Sequence, residues 1–277
     1  MWVRSIRVPI MRTPDEYGLE FKEITFPSFD GVHLKGWFIP SKGSNKLIIS
    51  NHPMMFNRYG HPGHVGKFST MSDFEVHFLP EYKVMIEAGY NVICYDQRNH
   101  GESDKGDGHV CGVGRHEWKD SVGVKQWVDA HPVFSKMTVS LMSRCMGANA
   151  QFEAIARFPE PFANVKCMVA PQPCTVCYLT DNFYKSQGLS EFSDLIDSEK
   201  RKLGGFATAE WGPHPFAPAV TIPTLISQVH DDSWTLPEDV QTTYDLLGGK
   251  EKELSGFMVP QGILTATTIL GSILKEC

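Results

Sequence analysis

The chain has 277 residues, of which 42% are hydrophobic and 21% are charged, so it can bury the core of one large α/β domain or of two small ones. Its net charge of −6, without a basic cluster, argues against nucleic acid or an anionic membrane as a partner. No stretch reaches membrane-spanning length, and seven widely spaced cysteines, an odd number, favour a reducing compartment, which predicts a cytoplasmic protein.

The N-terminal half alternates short apolar strands with helices. The Asp30-Gly31 pair predicts the turn of an antiparallel hairpin, and Pro27 places the first strand of that hairpin at a sheet edge. Gly89 is the stop signal of a helix. The predicted elements of this half are strands at 24–28, 33–39, 46–50 and 90–95 and helices at 81–89 and 115–130.

The C-terminal half continues the same rhythm, with one interruption. Its predicted elements are strands at 137–142, 165–170 and 221–229 and helices at 146–158 and 237–247. Uninterrupted apolar strands are typical of a mostly parallel sheet that helices cover on both faces. Residues 171–218 are rich in aromatic, Ser, Asp, Gly and Pro residues and predict a lid inserted over the strand ends. The sequence therefore predicts the α/β class and a single domain over 1–277 with a lid insertion.

The run Ser-Arg-Cys-Met-Gly at 143–147 joins a predicted strand to a predicted helix. A sharp strand-to-helix turn that presents a nucleophile tolerates only small residues two positions on either side of it. Ser143 and Gly147 meet this demand around Cys145, whereas a nucleophilic Ser143 would need a small residue in place of Leu141. The first backbone N–H of the helix, that of Met146, then becomes a donor to an oxyanion.

A second motif, Asp-Gln-Arg-Asn-His-Gly-Glu-Ser at 96–103, follows the predicted strand 90–95. With the elbow it resembles the α/β-hydrolase superfamily, from the hairpin turn near Phe29 to the helix that ends near Leu247. In that superfamily this second loop ties neighbouring loops together. The cysteine nucleophile resembles dienelactone hydrolases and the thiohydrolases and lactone-forming cyclases of polyketide synthesis; the run Ser-Arg-Cys-Met-Gly-Ala-Asn and the loop His-Pro-Met-Met are more similar to the second group. This resemblance implies an α/β-hydrolase fold and acyl chemistry.

The resemblance also implies where the partners of Cys145 lie. The second oxyanion donor comes from the loop 51–57, and Met54 is the candidate because Pro53 has no N–H. The catalytic acid follows the strand after the insertion. Asp232 fits best by its distance from Pro237, and Asp231 is the alternative. The aspartate that is not catalytic would cap the helix.

The general base is missing from its expected place. The resemblance implies a histidine after the last strand, yet the last of the eleven histidines is His230. His230, beside the acid, and His52, beside the oxyanion loop, are the candidates, with a packing role as the alternative for each.

Arg144 either favours a Cys145 thiolate or forms a salt bridge behind the elbow. A thiol loses less without a base than a hydroxyl does, because about a few per cent of it is thiolate near pH 7.

The tail from Ser255 to Cys277 has an unusual composition. Its charged residues are Lys275 and Glu276, and it lacks the polar loop and amphipathic helix that would close the domain. We hypothesise that a one-base shift of the reading frame produces this tail. Codon degeneracy allows the shifted frame to encode an aromatic strand and then a histidine whose codon spans residues 262 and 263.

The sequence thus predicts an acyl-transfer hydrolase that acts on a small-molecule ester or thioester, of polyketide type, with an acyl carrier protein as a further partner. No cofactor or metal is expected, because Cys174-Thr-Val-Cys177 is a single CxxC without a second pair. The alternatives are a dienelactone-type esterase and a catalytically impaired binding protein. An apolar acyl chain would contact the aromatic residues of the lid, which are Phe183, Tyr184, Phe192, Phe206, Trp211 and Phe216.

Overall fold

An eight-stranded sheet organises the protein in a computed structural model, which describes residues 3–69, 73–231 and 235–258. The strands are β1 (Lys22–Pro27), β2 (His33–Ile39), β3 (Lys46–Asn51), β4 (Gly60–Pro62), β5 (Glu75–His77), β6 (Asn91–Tyr95), β7 (Thr138–Ser143), β8 (Met168–Pro171), β9 (Thr224–Val229) and β10 (Lys252–Phe257). The sheet order is β1-β2-β6-β3-β7-β8-β9-β10, while β4 and β5 form a separate ribbon. In the large sheet β2 is antiparallel to both of its neighbours and the other pairs are parallel. The mostly parallel sheet is therefore confirmed, and β1, which ends at Pro27, lies at an edge as predicted.

Six α-helices accompany the described strands. They are α1 (Leu79–Glu87), α2 (Trp118–Ala130), α3 (Met146–Arg157), α4 (Cys177–Ser186), α5 (Ser193–Lys202) and α6 (Pro237–Leu246). The longest, α2, has 13 residues. No described helix is both long and apolar enough to cross a bilayer.

The two faces of the sheet are covered by different helices. In β3, Leu47 and Ile49 pack into a core with α2, α3 and α6, whereas Ile48 packs on the opposite face with α1. This alternation follows from the two-residue period of a strand. Each fully buried aliphatic side chain stabilises the folded state by about 1.5–3 kcal/mol. The two cores therefore fix the sheet, in which the carboxyl ends of the parallel strands lie on the same side.

Two differences from the predicted elements have a clear physical cause. Helix α2 begins at Trp118 rather than at residue 115, because the Glu117 carboxylate accepts the backbone N–H groups of Gly112 and Gly114 at 2.9 and 2.8 Å and holds that stretch as a loop. Strand β10 was not predicted. Its Ser255 and Gly256 have weak strand preference, and parallel pairing with β9 supplies the hydrogen bonds instead. The predicted tail therefore begins inside a strand, and its residues from 259 onward lie outside the described part.

The segment between β8 and β9, residues 172–223, is the helical insertion that contains α4 and α5. Val176 and Trp211 of this insertion pack against Met54, Met55 and Met146 in a third apolar cluster. The insertion thus contacts the segments that follow β3 and β7.

Candidate active site

Cys145 lies in a strained turn between β7 and α3. Its backbone angles are φ 48° and ψ −113°, a conformation that non-glycine residues rarely adopt and that costs about 1–3 kcal/mol. The N–H of Cys145 donates to the carbonyl of Pro171 at 2.9 Å, and its own carbonyl accepts the N–H groups of Ala148 and Asn149 at 2.9 and 3.0 Å. These bonds hold the half-buried residue in place at the amino end of the helix.

The small residues on either side of Cys145 pack against the end of β3. A Cβ atom on Gly147 would lie 2.7 Å from Cβ of Asn51 and 2.9 Å from the carbonyl oxygen of His52. Ser143 is fully buried, and its hydroxyl accepts a hydrogen bond of 3.0 Å from the amide of Asn51. Contact with β3 is therefore the physical reason for the small-x-Cys-x-small pattern.

The predicted oxyanion loop forms a tight turn directly after β3. The N–H of Phe56 donates to the carbonyl of Pro53 at 3.3 Å, and Met55 has φ 66°. A positive φ at the third position of such a turn, with Met54 at the second, defines a type II β-turn. A non-glycine residue at that third position costs about 1–2 kcal/mol, so its surroundings must hold the turn in place.

The structure brings the two predicted oxyanion donors into one neighbourhood. The side chains of Met54 and Met146, 8% and 0% exposed, belong to the same apolar cluster. Met146 opens α3, and the first N–H groups of a helix have no acceptor within that helix. The turn that holds Met54 and the start of α3 therefore contact each other beside the elbow.

Arg144 points away from the thiol. Its guanidinium donates to the Glu81 carboxylate and, at 3.1 Å, to the Ser50 hydroxyl, and it lies 4.7 Å from the ring centre of Phe78. Both charged side chains are at least nine-tenths buried. Of the two alternatives, the salt bridge behind the elbow is the one observed.

His52 is unavailable as a general base, which corrects one of the two predictions for it. Its Nδ1–H donates to the Pro53 carbonyl at 2.8 Å, and its Nε2 accepts the N–H of Gln97 at 2.9 Å. Burial, followed by the neighbouring His100 ring, lowers the pKa of His52 well below its usual value, so the ring stays neutral. The sequence does not predict these two hydrogen bonds, because a histidine before a proline at the end of a strand gives no signal that both of its ring nitrogens are engaged.

His230 and the predicted acids follow β9. His230 and Asp231 are exposed, and Asp232 lies outside the described residues. The His230 ring covers Gly256 of β10, where a Cβ atom would lie 1.8 Å from Nε2. Strand β9 is two positions from β7 in the sheet, about 10 Å at the usual strand spacing. His230 and Cys145 thus both follow the carboxyl ends of parallel strands, on the same side of the sheet, but β8 lies between those two strands.

The loop 96–103 ties neighbouring segments together. Asp96 accepts the N–H groups of Arg58 and Glu102, both at 2.8 Å, and pairs with the Arg58 guanidinium. Arg98 is fully buried and pairs with Asp120 at 2.8 Å. The contacts of this loop are those of a structural element, as the resemblance implies.

The CxxC pair lies at the start of α4. Neither Cys174 nor Cys177 forms a disulfide, and burial raises the pKa of Cys177 above its ordinary value. Across the described part of the chain, no group of three or more His, Cys, Asp or Glu side chains is arranged to bind a metal ion.

Solved hydrolases share this fold. An esterase of Pyrococcus furiosus superposes with a TM-score of 0.74 and 20% identity over 100% of this chain and 96% of that chain. The α/β-hydrolase GrgF of Penicillium sp. sh18 gives 0.63 and 16% over 93% and 96%, and a dienelactone hydrolase of Anabaena variabilis gives 0.58 and 15% over 93% and 96%. No protein-family model matches the chain, and no curated protein is similar to it in sequence. The chain therefore has the α/β-hydrolase fold that the motifs predicted.

Proposed function

We propose that this chain is an acyl-transfer hydrolase in which the thiol of Cys145 attacks the carbonyl carbon of a thioester or ester. The observation that carries the proposal is the strained backbone of Cys145, φ 48°, at a strand-to-helix turn. Such strain is costly and is concentrated at functional sites. A cysteine with only a structural role would not need this conformation.

The reaction has two steps. Sγ of Cys145 bonds to the acyl carbon, and the tetrahedral oxyanion is held by the N–H groups of Met146 and Met54 until the thiolate or alkoxide leaves, taking up a proton. Water or a hydroxyl of the acyl group then attacks the acyl-thioenzyme and restores the thiol. Water gives a free acid, whereas an internal hydroxyl gives a lactone.

The names of the similar structures support ester-like substrates. They include an esterase and a dienelactone hydrolase, both of which share the fold over more than nine-tenths of this chain. A thiol nucleophile favours thioesters further, because exchange between two thioesters is nearly balanced in energy. A polyketide-type acyl thioester, presented free or on an acyl carrier protein, is the substrate class that we propose.

The helical insertion supplies an apolar surface for the acyl chain and acts as its lid. Phe183, Phe206 and Trp211 pack against the cluster that holds Met54 and Met146. Of the other aromatic residues, Tyr184 is buried, Phe216 is half-buried, and Phe192 is 44% exposed and is not among the residues packed against this cluster. An acyl chain of mostly apolar character would bind along the first three.

We assign the general base to His230 and the acid to Asp232, with Asp231 as the alternative. His52 is engaged through both ring nitrogens, whereas the His230 ring is exposed at the sheet edge that carries the elbow. The distance between β9 and β7 requires the base to act across β8 or through water. If the shifted frame supplies a histidine after β10, that histidine replaces His230. Sequencing the transcript across the codons for Leu254 and Ser255 decides between the two, since an intact frame excludes the second.

One assay tests the proposal. Acyl thioesters and esters of graded length are incubated with the wild-type chain, with Cys145→Ala and with a matched control, Cys167→Ala, which removes a half-buried thiol directly before β8. The expected result is acid or lactone by mass, with an acyl adduct on Cys145, from the wild type and the control alone. Turnover by Cys145→Ala would refute the mechanism. Absence of both turnover and adduct would favour the binding protein.

A further inference from the structure

His61 contacts the oxyanion loop from behind. Its ring is 1% exposed, Nδ1 lies 3.0 Å from the carbonyl oxygen of Met55, and Nε2 lies 2.8 Å from the carbonyl oxygen of Phe68. The ring therefore spans two segments, the type II turn at 53–56 and the short helical turn that ends at Phe68. No step of the proposed reaction uses it.

The two acceptors restrict what the ring can do. A carbonyl oxygen only accepts hydrogen bonds, so each ring nitrogen must carry a proton to bond to its partner. A neutral imidazole has one N–H and serves one of the two carbonyls, whereas an imidazolium serves both. Both nitrogens lie at hydrogen-bonding distance from a carbonyl oxygen, and a proton on Nδ1 is what the bond to Met55 requires.

The backbone that carries the His61 ring is held rigidly. His61 is the central residue of β4, and β4 pairs with β5 so closely that a Cβ atom on Gly60 would lie 2.1 Å from the Val76 carbonyl. The Phe56 ring packs on the imidazole with their centres 5.1 Å apart. A hydrogen bond from the His61 ring to the Met55 carbonyl therefore ties the turn to the β4–β5 ribbon. Met55 is the residue whose positive φ sets the direction of the turn.

We propose that His61 is a positioning residue for the oxyanion loop, in that its donation to the Met55 carbonyl keeps the strained turn in the form that aims the Met54 N–H at the elbow. This inference rests on the proposed function of Met54 and extends it to a residue that never contacts the substrate. Loss of the bond lets the turn relax, and the second oxyanion donor is then lost while the thiol stays in place.

The test compares His61→Gln and His61→Ala with His77→Gln. His77 lies in the same ribbon, but its ring contacts Tyr17 and Tyr59 rather than the loop. Two reactions of Cys145 are measured: acyl transfer from a thioester, which needs an oxyanion donor, and alkylation by iodoacetamide, which forms no oxyanion. Loss of one such donor costs about 100-fold or more in kcat.

We expect His61→Ala to lower kcat for acyl transfer by about 10- to 100-fold, with KM and the alkylation rate within about twofold of wild type. We expect a smaller loss of kcat in His61→Gln, because the glutamine amide can still donate to one of the two carbonyls. The control should match the wild type. Equal losses in acyl transfer and alkylation, or no loss in either, would overturn the proposal.

A second measurement separates failure of this inference from failure of the proposed function. Hydrogen exchange of the amides at 54–56 should be faster in His61→Gln than in wild type and unchanged in His77→Gln, whether or not the chain turns over a substrate. Imidazole ¹⁵N spectra of the wild type should show a proton on Nδ1 of His61. Unchanged exchange at 54–56 in a folded His61→Gln refutes the positioning role, and a wild-type Nδ1 without a proton refutes it even if the variants do not fold.

Discussion

Gly147 has no space for a side chain, and this predicts a large effect from a single methyl group. In Gly147→Ala the new Cβ would lie 2.7 Å from Cβ of Asn51, 2.9 Å from the His52 carbonyl oxygen and 3.0 Å from the Asn51 carbonyl carbon. Two of these three atoms belong to the backbone at the end of β3, so a change of side-chain rotamer cannot relieve the contact. Either α3 or the oxyanion loop must move.

The magnitude follows from this overlap. Forcing an extra carbon into a packed site costs about 1–3 kcal/mol, and near 2 kcal/mol this lowers Tm by roughly 4–8 °C for a chain of this size. The same displacement separates Met146 from the loop that holds Met54, so acyl transfer should fall further than stability alone would explain. The matched control is Gly66→Ala, because a Cβ at Gly66 meets no atom within 4 Å.

Thermal and urea unfolding of both variants, together with turnover of an acyl thioester at a temperature where both are folded, checks this prediction. We expect Gly66→Ala to match the wild type in both measurements. A Gly147→Ala variant with wild-type Tm and turnover would show that the elbow tolerates a side chain at this position, and the packing argument would then be wrong.

Three further predictions concern the thiol, the buried ion pair and the buried histidine. Cys145→Ser should lower thioester turnover by on the order of 100-fold or more, because a hydroxyl depends on its general base far more than a thiol does and His230 is separated from the elbow by β8; turnover within tenfold of wild type would mean that a base reaches the elbow directly. Arg144→Met leaves Glu81 buried without its partner and should destabilise the fold by about 3–5 kcal/mol in urea unfolding, yet the rate of Cys145 alkylation should stay the same, and a slower rate would show that Arg144 acts on the thiol. The folded-state pKa of His52 is lowered, so below about pH 6.5 the unfolded chain binds a proton that the folded chain does not, and the free energy of unfolding falls as the pH falls. His52→Asn should make this slope shallower by up to about 1.4 kcal/mol per pH unit between pH 5 and 6, and parallel slopes for the two proteins would contradict the burial argument.

Much of the fold was predictable because it depends on local patterns. Uninterrupted apolar runs identified β3, β6 and β7, and the stop at Gly89 identified the end of α1, where Gly89 has φ 83°. Strand β10 escaped prediction, since its register comes from pairing with β9 and not from its own residues. The start of α2 escaped for a different reason: the Glu117 carboxylate, next to that boundary, accepts the N–H groups of Gly112 and Gly114, and apolar spacing does not reveal such a bond.

The sequence by itself determined the elbow around Cys145, because a sharp turn with a nucleophile at its centre permits only small residues at Ser143 and Gly147. The tertiary structure alone decided what surrounds that turn. Arg144 could face the thiol or Glu81, and His52 could act as a base or as a clamp; each choice depends on side chains contributed by segments far apart in the chain. Backbone steric constraints act over a few consecutive residues, so they can be inferred from the sequence. Hydrogen bonds and ion pairs form between segments that only the fold brings together.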